Sequence, residues 1–148
     1  MRAVRARGVT LLEMLVVLAI LGLVAAMVLP SLGDGVSTRE LKAAARQLAA
    51  GLRMARSEAL SQKRVTFLAV DLEGRRFKID TDPREYRLPP RIGLKLFTAQ
   101  SDIVDEKVGA IRFFPDGGSN GGRITVAAGE RKYEVDVDWL TGRVTIYE

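Results

Sequence analysis

The first thirty residues constrain this chain more than any other part of it. Met14 to Leu29 contain no charged residue, and Pro30 ends the run. If the helix begins at Val9, it has about 21 residues and a length of about 32 Å at 1.5 Å per residue, enough to cross a hydrocarbon core. Three arginines and no acid precede it. The positive-inside rule therefore predicts a cytoplasmic N-terminus, with the rest of the chain on the other side of the membrane.

Three interpretations of this segment compete. It could be a secretory signal cut near Val24-Ala25-Ala26, a passive membrane anchor, or a helix retained after a short leader is removed ahead of it. Glu13 helps to separate them, because a carboxylate costs up to about 2.5–3.5 kcal/mol at the centre of a membrane helix and less near its end. A disposable signal gains nothing from that cost. A helix that packs against other helices can use the acid if a neighbour supplies a positive group.

Composition removes most catalytic chemistries. The 148 residues fit one globular domain beyond the apolar segment, and they include no histidine and no cysteine. Cys–His and Ser–His catalysis, Cys/His zinc sites, haem and iron–sulfur ligation and disulfides are thereby excluded. A carboxylate-only enzyme remains possible on composition alone.

The remaining polar motifs do not form a recognisable site. The loop 116–122 lacks the Lys and helix of a P-loop and the acids of an EF-hand, so a flexible surface hairpin is predicted. Acids recur in close pairs, Asp80 with Asp82, Asp102 with Asp105, and Asp136 with Asp138. In the last pair the acids alternate with valines, which predicts a solvent-facing edge of a strand rather than two carboxyls facing each other across a cleft. We therefore predict no catalytic site, no cofactor, no metal and no small-molecule substrate.

A second helix is predicted from Thr38 to Lys63, after a turn-like linker at 31–35. Apolar residues recur there at three- and four-residue steps, as expected for one buried face: Leu41, Ala45, Leu48, Leu52, Ala55 and Ala59. A basic face adjoins it, formed by Arg39, Lys42, Arg46, Arg53 and Arg56. That face is interpreted as a solvated flank, with contact to another subunit or to anionic lipid as alternatives.

After Lys63 the hydrophobic period changes to two. Seven short strands are predicted, at 65–71, 76–80, 92–97, 110–114, 123–127, 132–137 and 143–147. Their close spacing favours antiparallel sheets in a small β-sandwich. The predicted fold class is therefore α+β, with a long N-terminal helix packed on an all-β head.

The residues Gly8-Val9-Thr10-Leu11-Leu12-Glu13, followed by the apolar helix, resemble the type IV pilin and type II secretion pseudopilin family. The resemblance implies a type IV pilin-like fold and a membrane peptidase that cuts after Gly8 and then N-methylates Val9, where the family usually has Phe or Met. It implies that Glu13 pairs with the N-terminal amine of an adjacent subunit. It also implies that Pro30 ends, and kinks, the buried half of the helix.

Later segments are similar to the H-type minor pseudopilins of the type II secretion system. They are residues 55–60, 111–117, 123–126 and 141–144, which together with the N-terminus span most of the chain. The calcium loop of the major pseudopilin is absent, and Glu13 distinguishes the chain from the K-type tip subunit, which lacks this acid. The resemblance implies a place near the tip of the periplasmic pseudopilus, helping protein export across the outer membrane.

The implied organisation is a leader at 1–8, a transmembrane and assembly helix at 9–30, a linker and amphipathic helix at 31–63, and a β-rich periplasmic head at 64–148. The protein would be a single-pass bacterial inner-membrane protein. Its implied partners are the prepilin peptidase, other minor and major pseudopilins, and inner-membrane lipid.

Two alternatives stay open. One is a minor type IV pilin of the FimT or FimU sort, acting in pilus assembly or DNA uptake; such relatives often carry a C-terminal disulfide, and this chain has no cysteine. The other is a secreted β-domain protein with a removable signal. Removal of residues 1–8 would lower the formal net charge from +5 to +2, which disfavours nucleic acid as a partner.

Overall fold

The described residues of the N-terminal part of the chain form one helix. The computed structural model describes residues 10–28, 36–98, 103–105 and 107–148, and the chain divides into two units, Met1–Gly35 and Val36–Glu148. In the first unit, α1 runs over Leu11–Val28, and the side-chain oxygen of Thr10 accepts a hydrogen bond from the Glu13 backbone at 3.2 Å. Within the described part of the chain, no helix is long and apolar enough to span a membrane.

The second unit begins with α2, Thr38–Gln62, which confirms the predicted second helix. A capping box starts it: Ser37 Oγ accepts from the Glu40 backbone at 3.1 Å, and the Glu40 carboxylate accepts from the Ser37 backbone at 3.0 Å. The helix ends at Lys63, whose φ of 53° is left-handed. All six predicted apolar positions of its inner face are buried, together with Ala44, Ala49 and Gly51.

Nine strands follow within the described residues. They are β1 (Thr66–Asp71), β2 (Arg76–Ile79), β3 (Glu85–Arg87), β4 (Gly93–Thr98), β5 (Ile103–Asp105), β6 (Val108–Phe113), β7 (Gly122–Ala128), β8 (Arg131–Val137) and β9 (Val144–Tyr147). They form a five-stranded sheet in the order β3-β2-β1-β6-β5 and a four-stranded sheet in the order β4-β7-β8-β9. Every strand pairing is antiparallel, which confirms the predicted sheet type.

The seven predicted strands are all present, and β3 and β5 were not predicted. Both are three residues long, which is too short for a period of two to be recognised. In β3 only the central residue, Tyr86, is partly buried, so the sequence offers one apolar position and no repeat. These two strands extend the five-stranded sheet at its two ends.

The core lies where α2 packs on strands of both sheets. α2 contacts β1, β2 and β6 of the five-stranded sheet and β7, β8 and β9 of the four-stranded one. Leu48 and Leu52 of the helix, with Leu68 and Ile111 of one sheet and Val135 of the other, are completely buried. Thr66 ties helix to sheet, because its buried hydroxyl donates to the Ala55 carbonyl at 2.6 Å.

Gly51 allows the close approach between α2 and the five-stranded sheet. A Cβ at this position would lie 2.8 Å from the Phe77 ring and 2.9 Å from a Leu68 methyl group. Carbon atoms in contact are normally about 3.5–4.0 Å apart, so any side chain here would force the layers apart. Glycine in the middle of the helix is thus explained by packing.

Candidate functional site

Glu13 lies in the first turn of α1 and is exposed. Its backbone is held by Thr10, but among the described residues its carboxylate makes no hydrogen bond or ion pair. The other predicted site residues, Gly8, Val9 and Pro30, lie outside the described part of the chain, as does the predicted linker at 31–35. The structure therefore presents the Glu13 carboxylate as a group available to a partner.

The surface around Glu13 is apolar on every side of the helix. All side chains from Thr10 to Ala26 are exposed, including Leu11 at 83%, Leu18 at 67% and Leu23 at 68% of their full accessibility. Glu13 is the one charged residue in α1. Contiguous apolar surface of this kind marks a membrane or protein contact.

The described residues contain no group of three or more acids positioned to hold a metal ion. Asp136 on β8 is arranged as predicted: Val135 and Val137 are buried, while the carboxylate of Asp136 accepts from Arg123 at 3.0 Å on the outer surface. Its partner Asp138 follows the strand and is exposed. Asp102 lies outside the described residues. Asp136 and Asp138 therefore lie on the outer surface, as the alternation with valines predicted.

Asp82 is an acid whose burial the sequence did not predict. It is only 5% exposed, and its carboxylate accepts from the Arg84 guanidinium at 2.8 Å and from the Tyr86 hydroxyl at 2.7 Å. The Tyr86 ring stacks on Phe77 with centroids 5.0 Å apart. The Arg84 and Tyr86 hydrogen bonds hold the pKa of Asp82 well below its usual range. The cluster fixes the connection between β2 and β3.

The loop predicted as a flexible hairpin is held at its centre. Ser119 is 5% exposed, its hydroxyl donates to the Arg112 carbonyl at 2.6 Å, and it accepts from the Gly121 backbone at 3.1 Å. Ser119 also forms an isolated β-bridge with Phe113. The prediction failed because Ser119 lies in a polar, glycine-rich stretch that shows no hydrophobic pattern.

The turn between β8 and β9 is built around Asp138. Its Oδ1 accepts from the backbones of Leu140 and Thr141 at 3.1 and 2.7 Å and from the Thr141 hydroxyl at 2.8 Å. These hydrogen bonds, chiefly those from Thr141, lower the pKa of Asp138. The turn leaves Trp139 and Leu140 exposed, at 67% and 66%. Two arginines of the predicted basic face, Arg53 and Arg56, lie against this turn and an adjoining loop.

Solved structures identify the class of fold. The type IV minor pilin FimU of Pseudomonas aeruginosa matches with a TM-score of 0.57 and 18% identity, over 73% of this chain and 93% of that one. The minor pseudopilin EpsH of Vibrio cholerae matches with a TM-score of 0.59 and 12% identity, over 73% and 96%. The predicted pilin-like α+β fold is therefore confirmed.

Sequence comparison narrows the class to a family. The model of type II transport protein GspH matches residues 44–142, and the prokaryotic N-terminal methylation motif matches residues 4–29. Type II secretion system protein H of Xanthomonas campestris pv. campestris is 33% identical over 138 residues, covering 93% of this chain and 81% of that protein. This chain belongs to the GspH family of minor pseudopilins.

Proposed function

We propose that the protein is a minor pseudopilin subunit of a type II secretion system, anchored in the bacterial inner membrane with its head in the periplasm. Membership of the GspH family and the relative named type II secretion system protein H support this role. The proposed anchor is a single-pass helix formed by residues 9–30, the apolar segment of the sequence. The proposed position is near the tip of the pseudopilus, where the subunit helps protein export across the outer membrane.

The observation that carries the assembly mechanism is a lone carboxylate on an exposed apolar helix. Peptidase cleavage after Gly8 would create an N-terminal ammonium at Val9, which the same enzyme methylates. In the assembled filament that ammonium would meet Glu13 of a neighbouring subunit. Pairing the two charges offsets the cost of desolvating either one alone, and the pair then sets the axial register of the helices. Pro30 would end the helical segment buried in the filament.

The subunit acts as an assembly component and not as a catalyst in this proposal. Its partners are the prepilin peptidase, other minor and major pseudopilins, and inner-membrane lipid. The relevant surfaces are α1 for the filament interior and the β-rich head for contacts outside it.

Substitution of Glu13 tests the mechanism directly. Glu13→Val should still insert into the membrane, because it removes the one charged residue from α1. Its co-purification with the other pseudopilins should fall by about tenfold, the effect of removing one buried charge pair worth about 1.4 kcal/mol or more. Met14→Val, one position along the same helix, is the matched control and should co-purify normally. Normal recruitment of Glu13→Val would overturn the charge-pairing mechanism.

The mass of the mature N-terminus tests the processing. A methylated chain that starts at Val9 is expected. A chain that starts near Met27 would instead show a secretory signal and remove the assembly helix, contradicting the proposed function as a whole.

A minor type IV pilin remains the second candidate, supported by the fold likeness to FimU. Deletion of the gene separates the two roles. Loss of exported proteins with intact surface pili is expected for the secretion subunit. Loss of pili or of DNA uptake with normal export would establish the alternative.

A further inference from the structure

A second surface of the head is strongly basic, and its arginines form no ion pair within the described residues. We call it the arginine groove: a depression of about 380 Å³ lined by Arg53, Arg56, Thr141, Gly142, Arg143 and Val144. Two of its arginines come from α2 and the third from the turn before β9. No carboxylate is among the lining residues.

The guanidinium groups are positioned by neutral partners. Arg53 Nη2 donates to the Val144 carbonyl at 3.2 Å, and Arg56 Nε donates to the Gly117 carbonyl at 3.4 Å. Within the described residues none of the three groove arginines forms an ion pair. Asp138, which lies close enough to Arg143 for their charges to interact, already accepts three hydrogen bonds inside its own turn.

Other arginines of the head do form ion pairs. Four of them contact a carboxylate within 3.5 Å, in the pairs Arg64–Asp80, Arg76–Asp71, Arg84–Asp82 and Arg123–Asp136. At these other sites of the head, therefore, an acid lies beside each arginine and pairs with it. The groove concentrates three arginines that form no ion pair within the described residues, with Asp138 as the acid near Arg143.

The floor of the groove is closely packed. Gly142 has a φ of 61°, and its backbone N–H donates to the Asp138 carbonyl at 2.9 Å. A Cβ on Gly142 would overlap the Gly117 carbonyl and approach Arg56 Nε to 2.8 Å. Only glycine fits this conformation and this space, and its absence of a side chain lets the turn lie directly against Arg56 of α2. The groove is thus already formed in the unbound protein, which lowers the cost of binding.

Exposed apolar side chains adjoin the groove. Trp139 and Leu140 belong to the same turn as Gly142 and Arg143 and are two-thirds exposed. Tryptophan and arginine dominate the binding energy of protein interfaces, whereas nucleic-acid affinity is built from several phosphate contacts along a basic stripe. A single cationic pocket beside an apolar pair therefore fits an acidic protein segment better than a nucleic-acid backbone.

We propose that the arginine groove binds a carboxylate-bearing segment from the head of a neighbouring pseudopilin, with Trp139 and Leu140 packing beside it. The guanidinium fork of Arg143 can hold a carboxylate through two parallel hydrogen bonds. This inference rests on the proposed function, because it takes the partner to be another subunit of the same filament.

A photocrosslinking experiment on the full chain in its native membranes tests the proposal. The chain has no cysteine, so a benzophenone maleimide can be attached at a single site, the cysteine of Leu140→Cys. The label then places an apolar group where the apolar leucine side chain was. The label should attach to a peptide of another pseudopilin that contains Asp or Glu. Adding Arg143→Glu should lower the cross-link yield by about tenfold or more, because it places like charges in contact.

Arg143 suits this test because its side chain makes no hydrogen bond to a described residue, so the substitution should leave the head folded. Arg87→Glu is the matched control: it makes the same charge change at an exposed site on β3 and should leave the yield unchanged. Replacing the acid of the captured partner by lysine should restore the cross-link to Arg143→Glu.

Three results would overturn the proposal. The first is an equal yield from Arg143→Glu and Arg87→Glu; the second is capture of a peptide without acids. The third is that Arg143→Glu loses duplex DNA binding in a gel shift while its cross-link yield is unchanged. That result would assign the groove to nucleic acid.

A parallel label at Leu15→Cys on α1 keeps the groove proposal and the proposed function distinguishable. If it captures other pseudopilins and the Leu140→Cys label does not, the groove proposal fails alone; if neither does, the proposed function fails too.

Discussion

Asp82 is a buried acid whose charge is stabilised by the fold. The hydrogen bonds from Arg84, and then from Tyr86, lower its pKa in the folded protein relative to the unfolded chain. A carboxyl with a depressed folded pKa adds stability above its unfolded pKa of about 4, and that stability is lost as the pH falls toward the folded value. The contribution therefore disappears in the acid range and is constant near neutrality.

We expect the unfolding temperature of the chain to fall as the pH is lowered below about 4, and Asp82→Asn to flatten that dependence. Thermal melts followed by circular dichroism between pH 2 and pH 7 would measure both. Glu73→Gln is the control, since Glu73 is 69% exposed and its variant should keep the slope of the original protein. Equal slopes in all three proteins would contradict the role assigned to Asp82.

The close packing around Gly51 leads to a second prediction about a single residue. Gly51→Val should destabilise the head by about 1–3 kcal/mol, because its side chain would enter the space of Phe77 and Leu68. Ala50→Val places the same side chain on the exposed side of α2, where it should cost only its helix propensity of about 0.5 kcal/mol. Helix propensity favours valine over glycine, so any loss in Gly51→Val comes from packing. Urea unfolding of the two variants gives the comparison; an unchanged or raised stability of Gly51→Val would show that the layers can separate without cost.

At the scale of elements, the start of α2 depends on the capping box at Ser37 and Glu40. Ser37→Ala leaves the Glu40 backbone N–H without its partner and should cost about 1 kcal/mol of stability. Ser57→Ala, an exposed substitution in the middle of the same helix, should change stability by about 0.5 kcal/mol or less. If Ser57→Ala costs as much as Ser37→Ala in urea unfolding, the cap is not what stabilises the helix.

The elements were largely predictable because their hydrophobic periods are regular. The face of α2 from Leu41 to Ala59 and the alternation in β8 each identify a helix or strand without knowledge of the fold. The arginine groove was not predictable, since Arg53 and Arg143 are 90 positions apart and meet only when β9 packs on α2. Asp82 was missed for a related reason: its burial depends on Tyr86, in a strand too short to be recognised.

At the scale of the whole molecule, the second unit has its own core. Helix α2 and both sheets lie within Val36–Glu148, and every core side chain that the structure describes belongs to this unit. Residues 36–148 produced alone should therefore unfold in one cooperative transition, with a melting temperature within a few degrees of that of the full chain in detergent. Thermal melts of both would test this, and a broad, non-cooperative melt of the shorter chain would contradict it.

The connectivity of the sheets also bears on synthesis. β1 pairs with β6 about 40 residues later, and α2, made early, packs on β8 and β9, made last. Part of the alanine-rich face of α2 thus stays uncovered until the ribosome has nearly finished the nascent chain. Long-range pairings of this kind fold slowly. Premature truncation before β9 would leave a chain that has most of its strands and still cannot close around its own helix.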